Sequence, residues 1–75
     1  MHYTFHARQR MRQRGVTSSE VDEALDNILT EYPSKDGPNR RVAHGTTKAG
    51  RELKIVVDTS DPVDVTIVTV APVRV

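Results

Sequence analysis

The opening segment of this 75-residue chain concentrates side chains that could bind and cleave a phosphodiester. His6, Arg10 and Arg14 follow one another at intervals of four residues, so a helix would place them along one side. Cleaving RNA without a metal ion requires a base for the 2′-hydroxyl proton, an acid for the leaving oxygen and cations for the charged phosphorane. A histidine can be the acid or the base, and arginines can hold the phosphate. The same spacing is also typical of a solvated basic helix face.

The second half of the chain contains residues that could complete such a site. His44 is a second imidazole, and it could act together with His6 if the fold brings the two rings to one place. Four further side chains could contact substrate phosphates: Arg41, Arg51, Lys54 and Thr69. Each also has a structural interpretation, because an edge lysine discourages sheet aggregation and threonine is a common strand residue.

The charge of the chain is small in total but uneven along its length. The formal net charge is +1, yet residues 1–14 carry four arginines and no acidic residue. Residues 37–57 are basic again, with five cations against Glu52. If the fold brings these two segments together, they form a patch that would bind a polyanion such as RNA; otherwise they are solvated faces.

Composition excludes several classes of site. The chain has no cysteine, which excludes disulfides, thiolate metal sites and a cysteine nucleophile and suits a reducing, cytoplasmic setting. No apolar run is long enough for a signal sequence or a membrane span. The three histidines lack a metal-ligand spacing and no glycine-rich phosphate loop is present, so we expect no metal and no cofactor.

Two helices are predicted in the first half of the chain. The first begins after Thr4 as N-cap and ends at Gly15, with an apolar stripe of Tyr3, Ala7 and Met11 that Phe5 could support. The second begins with a capping box of Thr17 and Glu20. Its apolar positions recur with helical spacing and predict a helix that continues to the end of the set: Val21, Ala24, Leu25, Ile28 and Leu29.

Strands are predicted after the loop that follows Pro33. Alternating residues indicate strands at 40–46, 53–58 and 63–70, with residues 47–50 as a hairpin loop. Residues 2–3 are a candidate for a short edge strand. The expected architecture is a single α+β domain over residues 1–75, with two helices packed on one face of a three- or four-stranded antiparallel sheet. The other face is expected to be open and to present Lys54 and Arg41.

The chain resembles the DUF4258 family of small bacterial proteins over nearly its whole length. The residues that carry the resemblance are His6, Ala7, Arg8, Arg10, Met11, Arg14, Gly15 and Val16, then Ser19-Glu20, then residues 54–57 and 67–70. That family is similar to the RelE, barnase, EndoU and colicin group of ribonuclease folds, in which helices precede an antiparallel sheet whose open face holds RNA.

The resemblance implies a metal-independent endoribonuclease of the toxin type. Its functional positions would be His6 and Arg10 first and Arg14 next, with His44, Lys54 and Thr69 matched by region. RNA and an antitoxin protein are the partners it implies. Two alternatives stay open: a non-catalytic basic module that binds nucleic acid or a protein, and a homodimeric interaction protein built through the apolar last strand.

Overall fold

The computed structural model describes residues 1–73 and shows two helices on one face of a five-stranded sheet. The elements are β1 (His2–Tyr3), α1 (Phe5–Arg14), α2 (Ser18–Leu25), β2 (Ile28–Pro33), β3 (Arg40–Thr46), β4 (Glu52–Asp58) and β5 (Thr66–Pro72). The strand order is β1-β5-β4-β3-β2; β1 runs parallel to β5 and the other neighbours are antiparallel. The α+β class and the helix layer are confirmed, but the sheet is five-stranded and mixed rather than three- or four-stranded and antiparallel.

Helix α1 has the predicted ends. The Thr4 side chain accepts a hydrogen bond from the Ala7 N–H, and Gly15 adopts the left-handed conformation with φ 64°. Ala7 and Met11 are buried, whereas Phe5 is 82% exposed and does not support the apolar stripe. Phe5 is the first residue of α1, and most of its side chain is in contact with solvent. The outward surface of α1 is therefore polar apart from this one ring.

Helix α2 has the predicted start but is shorter than predicted. The Thr17 and Glu20 capping box is present in both directions, and the hydrogen bond from the Thr17 backbone lowers the pKa of Glu20. The helix ends at Leu25, and Ile28 and Leu29 belong to strand β2 instead. Strand pairing with β3 outweighs the helical spacing, because the β-branched and aromatic residues of β2 suit an extended chain.

Strand β3 matches its predicted bounds, and β4 and β5 differ only at their ends. Strand β5 begins at Thr66 rather than Val63, because the Asp61 carboxylate accepts hydrogen bonds from the Val63 and Asp64 N–H groups and holds a turn there. Strand β5 then extends to Pro72, which pairs with Leu53. The short edge strand considered for His2–Tyr3 is present as β1.

The core lies between the helices and one face of the sheet. Its buried side chains come from both layers: Ala7, Met11, Val16, Val21, Ala24, Leu53, Ile55, Ile67 and Val70. Helix α1 packs mainly on β5, and α2 packs on β3 and β4. The opposite face of the sheet carries no helix within residues 1–73. No helix among these residues has the length and apolarity that crossing a bilayer requires.

Candidate functional site on the open sheet face

The face of the sheet opposite the helices, here called the open face, brings together most of the chemistry of the strands. Strand register fixes which side chains share it, because paired residues point to the same side and neighbours alternate. The relevant members are Tyr32, Val42, His44, Glu52, Lys54, Val56 and Thr69. His44 lies directly opposite Lys54, and Tyr32 lies opposite Val42.

His44 is held at both ring nitrogens. Its Nε2 lies 3.0 Å from the Tyr32 hydroxyl, and its Nδ1 lies 3.3 Å from Oε2 of Glu52. The His44 and Tyr32 rings are 5.7 Å apart at their centroids and tilted by 35°. The His44 side chain is 19% exposed, so the ring is fixed by its neighbours and still reachable from solvent. We call His44, Tyr32, Glu52 and Lys54 the His44 cluster.

The partners of His44 determine which nitrogen carries the proton. An ionised carboxylate only accepts hydrogen bonds, so Nδ1 of His44 donates to Glu52. In the neutral imidazole Nε2 is then an acceptor, and the Tyr32 hydroxyl donates to it. A histidine oriented in this way by a carboxylate is able to take a proton at Nε2. Glu52 also stabilises the imidazolium that results.

Lys54 adds a cation beside this histidine. Its side chain is exposed on the central strand β4, directly across from His44. Thr69 lies on the neighbouring strand β5, opposite Val56 and on the same face. An ammonium group and a hydroxyl at these places could contact a phosphate bound against His44. Within residues 1–73 no group of three or more histidine and acidic side chains is arranged to hold a metal ion.

The α1 residues predicted to form the site lie on the other side of the sheet. His6 is exposed and Arg10 is partly exposed on α1, which packs against the face of β5 opposite the open face. The Arg14 side chain donates a hydrogen bond to the Val70 carbonyl at 3.2 Å. The sheet separates His6 from His44, so the proposed pair of histidines does not form.

Two of the cations predicted to hold phosphate also lie off the open face. Arg41 shares the helix-side face with Ala43, and its guanidinium pairs with Glu31. Arg51 donates to the Arg14 and Gly15 carbonyls at 3.0 and 3.1 Å and contacts Glu20 at 3.4 Å. Arg51 thus satisfies the C-terminal carbonyls of α1 and connects both helices to the β3–β4 hairpin. The prediction that the open face presents Arg41 is wrong, and Arg51 contacts the ends of the helices rather than the open face.

Tyr32 and Glu52 were not among the predicted site residues. Glu52 carried a partial signal, because the predicted hairpin already placed it near the start of the strand after His44. The predicted loop of residues 47–50 would pair Thr46 with Arg51, whereas in the structure Thr46 pairs with Glu52 and Glu52 lies diagonal to His44. Tyr32 carried no such signal. Its segment has helical apolar spacing, and only the pairing with β3 shows that the ring lies beside His44.

A groove of about 460 Å³ adjoins the His44 cluster on the open face. Two buried valines on neighbouring strands lie beneath it, Val42 at 5% exposure and Val56 at 8%. The remaining lining comes from the end of β2, the loop after it and β4: Tyr32, Pro33, Ser34, Lys35, Asp36 and Lys54. Tyr32 and Lys54 belong to both the groove and the His44 cluster, so the two features are continuous.

Comparison with known proteins finds one family. A family model described as a domain of unknown function, DUF4258, matches residues 3–72. No curated protein and no solved structure matches the chain. The matched range includes both helices, all residues of the His44 cluster and the whole groove lining.

Proposed function

The chain belongs to the DUF4258 family, and we propose that it cleaves RNA without a metal ion at the His44 cluster. The observation that carries the proposal is the position of His44, between the Glu52 carboxylate and the Tyr32 hydroxyl and opposite Lys54. This set contains a base, a second proton-bearing group and a cation within one reachable surface. RNA transesterification requires those three functions.

In the proposed reaction His44 is the base, Tyr32 is the acid, and a proton transfer between them restores both groups afterwards. The Tyr32 hydroxyl first turns from His44 Nε2 towards the leaving 5′-oxygen. The freed Nε2 then takes the proton of the 2′-hydroxyl while the 2′-oxygen bonds to phosphorus, and Lys54 stabilises the charged phosphorane. The bond from phosphorus to the 5′-oxygen breaks, and the Tyr32 hydroxyl gives its proton to that oxygen. His44 then returns a proton to Tyr32 along their existing hydrogen bond. The products are a 2′,3′-cyclic phosphate and a free 5′-hydroxyl.

The wider setting of the activity belongs to the same proposal. The order of two helices before a sheet with an open face supports a likeness to the RelE, barnase, EndoU and colicin group of folds. Toxin activity, a cytoplasmic location, an antitoxin that blocks the site and a homodimer stay predictions. In this arrangement His6 and Arg10 lie on α1, across the sheet from the cluster, and take no part in the chemistry.

The test is cleavage of RNA by the purified protein in the presence of EDTA. We expect cyclic-phosphate ends and a loss of about 100-fold in rate for His44→Ala. His6→Ala is the matched control and should keep its rate, because His6 lies across the sheet from the cluster. Absence of cleavage on free RNA and on ribosomes would overturn the proposal. Loss of activity in His6→Ala alone would move the site to α1.

A second candidate function rests on the surface of α1. Its residues Arg8 and Arg12 are exposed, and its first turn contains no acidic residue. Such a surface could bind a nucleic-acid backbone without cutting it. In that case affinity would fall steeply with salt and would weaken in Arg10→Ala, while His44→Ala would leave it unchanged. Cleavage that depends on His44 would refute this purely binding function.

A further inference from the structure

We infer that the groove beside the His44 cluster is a nucleobase subsite, an inference that rests on the proposed RNA cleavage. The groove would hold the base of the nucleotide whose phosphate lies at Lys54 and His44. The first support is that the groove and the His44 cluster are continuous, because Tyr32 and Lys54 belong to both. A substrate phosphate at His44 therefore has its neighbouring base at the mouth of the groove.

The lining suits a flat ring with an attached phosphate. Val42 and Val56 form an apolar floor of the groove. Both are buried, even though no described helix covers this face of the sheet. The Tyr32 ring adds an aromatic wall on which a nucleobase can stack. A volume of about 460 Å³ lies within the range of small-ligand sites.

Charges at the rim support a nucleotide rather than a neutral ring. Lys35 and Lys54 both line the groove, and their ammonium groups can contact the phosphate of a bound nucleotide or the next phosphate along the RNA. Asp36 also lines the groove, and an ionised carboxylate only accepts hydrogen bonds. Asp36 therefore favours bases that present N–H donors, most of all guanine, which presents two adjacent donors.

The test is a titration of the full chain with the four 3′-nucleoside monophosphates, followed by amide chemical shifts. We expect shifts at Lys35, Asp36, Val42 and Val56, with 3′-GMP the tightest ligand. Asp36→Asn should reduce the difference between 3′-GMP and 3′-UMP. Lys35→Glu should weaken binding about tenfold. Lys48→Glu is the matched control, because Lys48 is an exposed lysine of the β3–β4 hairpin outside the groove lining.

The outcomes separate this inference from the proposed function. Nucleotide shifts confined to the groove without any RNA cleavage would leave the subsite standing and remove the catalytic proposal. RNA cleavage that depends on His44, with Lys35→Glu and Lys48→Glu equal in nucleotide affinity, would overturn the subsite and leave the catalysis. Equal binding of all four nucleotides would overturn the role of Asp36. His44→Ala is expected to slow cleavage about 100-fold and to leave the preference for 3′-GMP over 3′-UMP unchanged, because that preference depends on Asp36.

Discussion

At the scale of single residues, the His44 cluster depends on a carboxylate that fixes one tautomer. Glu52 accepts the hydrogen bond of Nδ1 and leaves Nε2 as the acceptor. A second carboxylate, Glu31, occupies the helix-side face and pairs with Arg41 instead. The two glutamates thus make comparable contacts with a basic partner, but only one of them acts on the open face.

Glu52→Gln is expected to slow RNA cleavage about tenfold while leaving stability nearly unchanged. The amide has the shape of the carboxylate but lacks the charge that stabilises the imidazolium of His44. Single-turnover cleavage rates across pH and urea unfolding measure the two effects. Glu31→Gln is the control and should keep the wild-type rate. A rate loss of the same size in both variants would show that Glu52 does not act through His44.

A different residue, Tyr3, carries a buried hydroxyl without a hydrogen-bond partner among residues 1–73. Burial raises the pKa of Tyr3 above its ordinary value of 10.0, and the nearby Asp22 carboxylate adds to the increase. The ring is retained against the core by packing and by Arg8, whose guanidinium lies 5.3 Å from the ring centroid. The Tyr3 hydroxyl itself therefore contributes little to the stability of the fold.

We expect Tyr3→Phe to unfold with a free energy equal to that of the wild type or higher by about 1 kcal/mol at neutral pH. Above pH 10 the free energy of unfolding of Tyr3→Phe should exceed that of the wild type by a larger amount. A group whose folded pKa is raised stabilises the fold below its unfolded pKa and loses that contribution as pH rises. Urea unfolding at pH 7 and above pH 10 measures this, with Tyr32→Phe as the exposed control. A constant difference across pH would contradict the burial of the hydroxyl.

At the scale of elements, helix α2 and strand β3 approach so closely that only glycine fits between them. A Cβ at Gly45 would lie 1.9 Å from the Ala24 carbonyl oxygen. Ala24 is in the last turn of α2, and the Asn27 N–H bonds to the same carbonyl where the helix ends. This contact fixes the end of α2 and with it the start of β2, the strand that carries Tyr32.

Gly45→Ala should therefore lower the free energy of unfolding by about 3 kcal/mol, because backbone must move away from backbone. Gly37→Ala is the control, since a Cβ there meets only the Arg40 side chain at 3.9 Å. Urea unfolding followed by circular dichroism compares the two. A Gly45→Ala protein as stable as Gly37→Ala would show that α2 and β3 are not in contact at this point.

The same contact explains what the sequence could and could not predict. Capping residues determine the starts of both helices, and local turns determine the β3–β4 hairpin, so these elements were predictable from their own residues. The segment Ile28–Pro33 is different, because its residues fit either a longer α2 or a strand. Only pairing with β3, distant along the chain from α2, decides between them.

At the scale of the whole molecule, the sheet divides the polar chemistry into two surfaces. One is the open face with the His44 cluster, and the other is the outer side of α1 with its arginines. The basic stripe of α1 was predictable from four-residue spacing, but spacing does not reveal on which side of the sheet a helix packs. The sequence therefore allowed the hypothesis that His6 and His44 lie close together, but in the fold the sheet lies between them.

Substitution of Arg14 tests which of these two surfaces carries the chemistry. Arg14 lies on α1, and its side chain donates a hydrogen bond to the Val70 carbonyl of β5. Arg14→Ala should lower the free energy of unfolding by about 1–2 kcal/mol, because a charged hydrogen bond to backbone is lost. Arg12→Ala removes an exposed side chain on the same helix and should change the free energy of unfolding by less than about 0.5 kcal/mol.

Cleavage rates complete the comparison when both variants are measured well below their unfolding temperatures. If the His44 cluster is the site, Arg14→Ala and Arg12→Ala cut RNA as fast as the wild type, although only Arg14→Ala is less stable. A folded Arg14→Ala protein that has lost cleavage would instead assign the chemistry to α1. A structural role for Arg14 predicts loss of stability with retention of rate, and a catalytic role predicts the reverse.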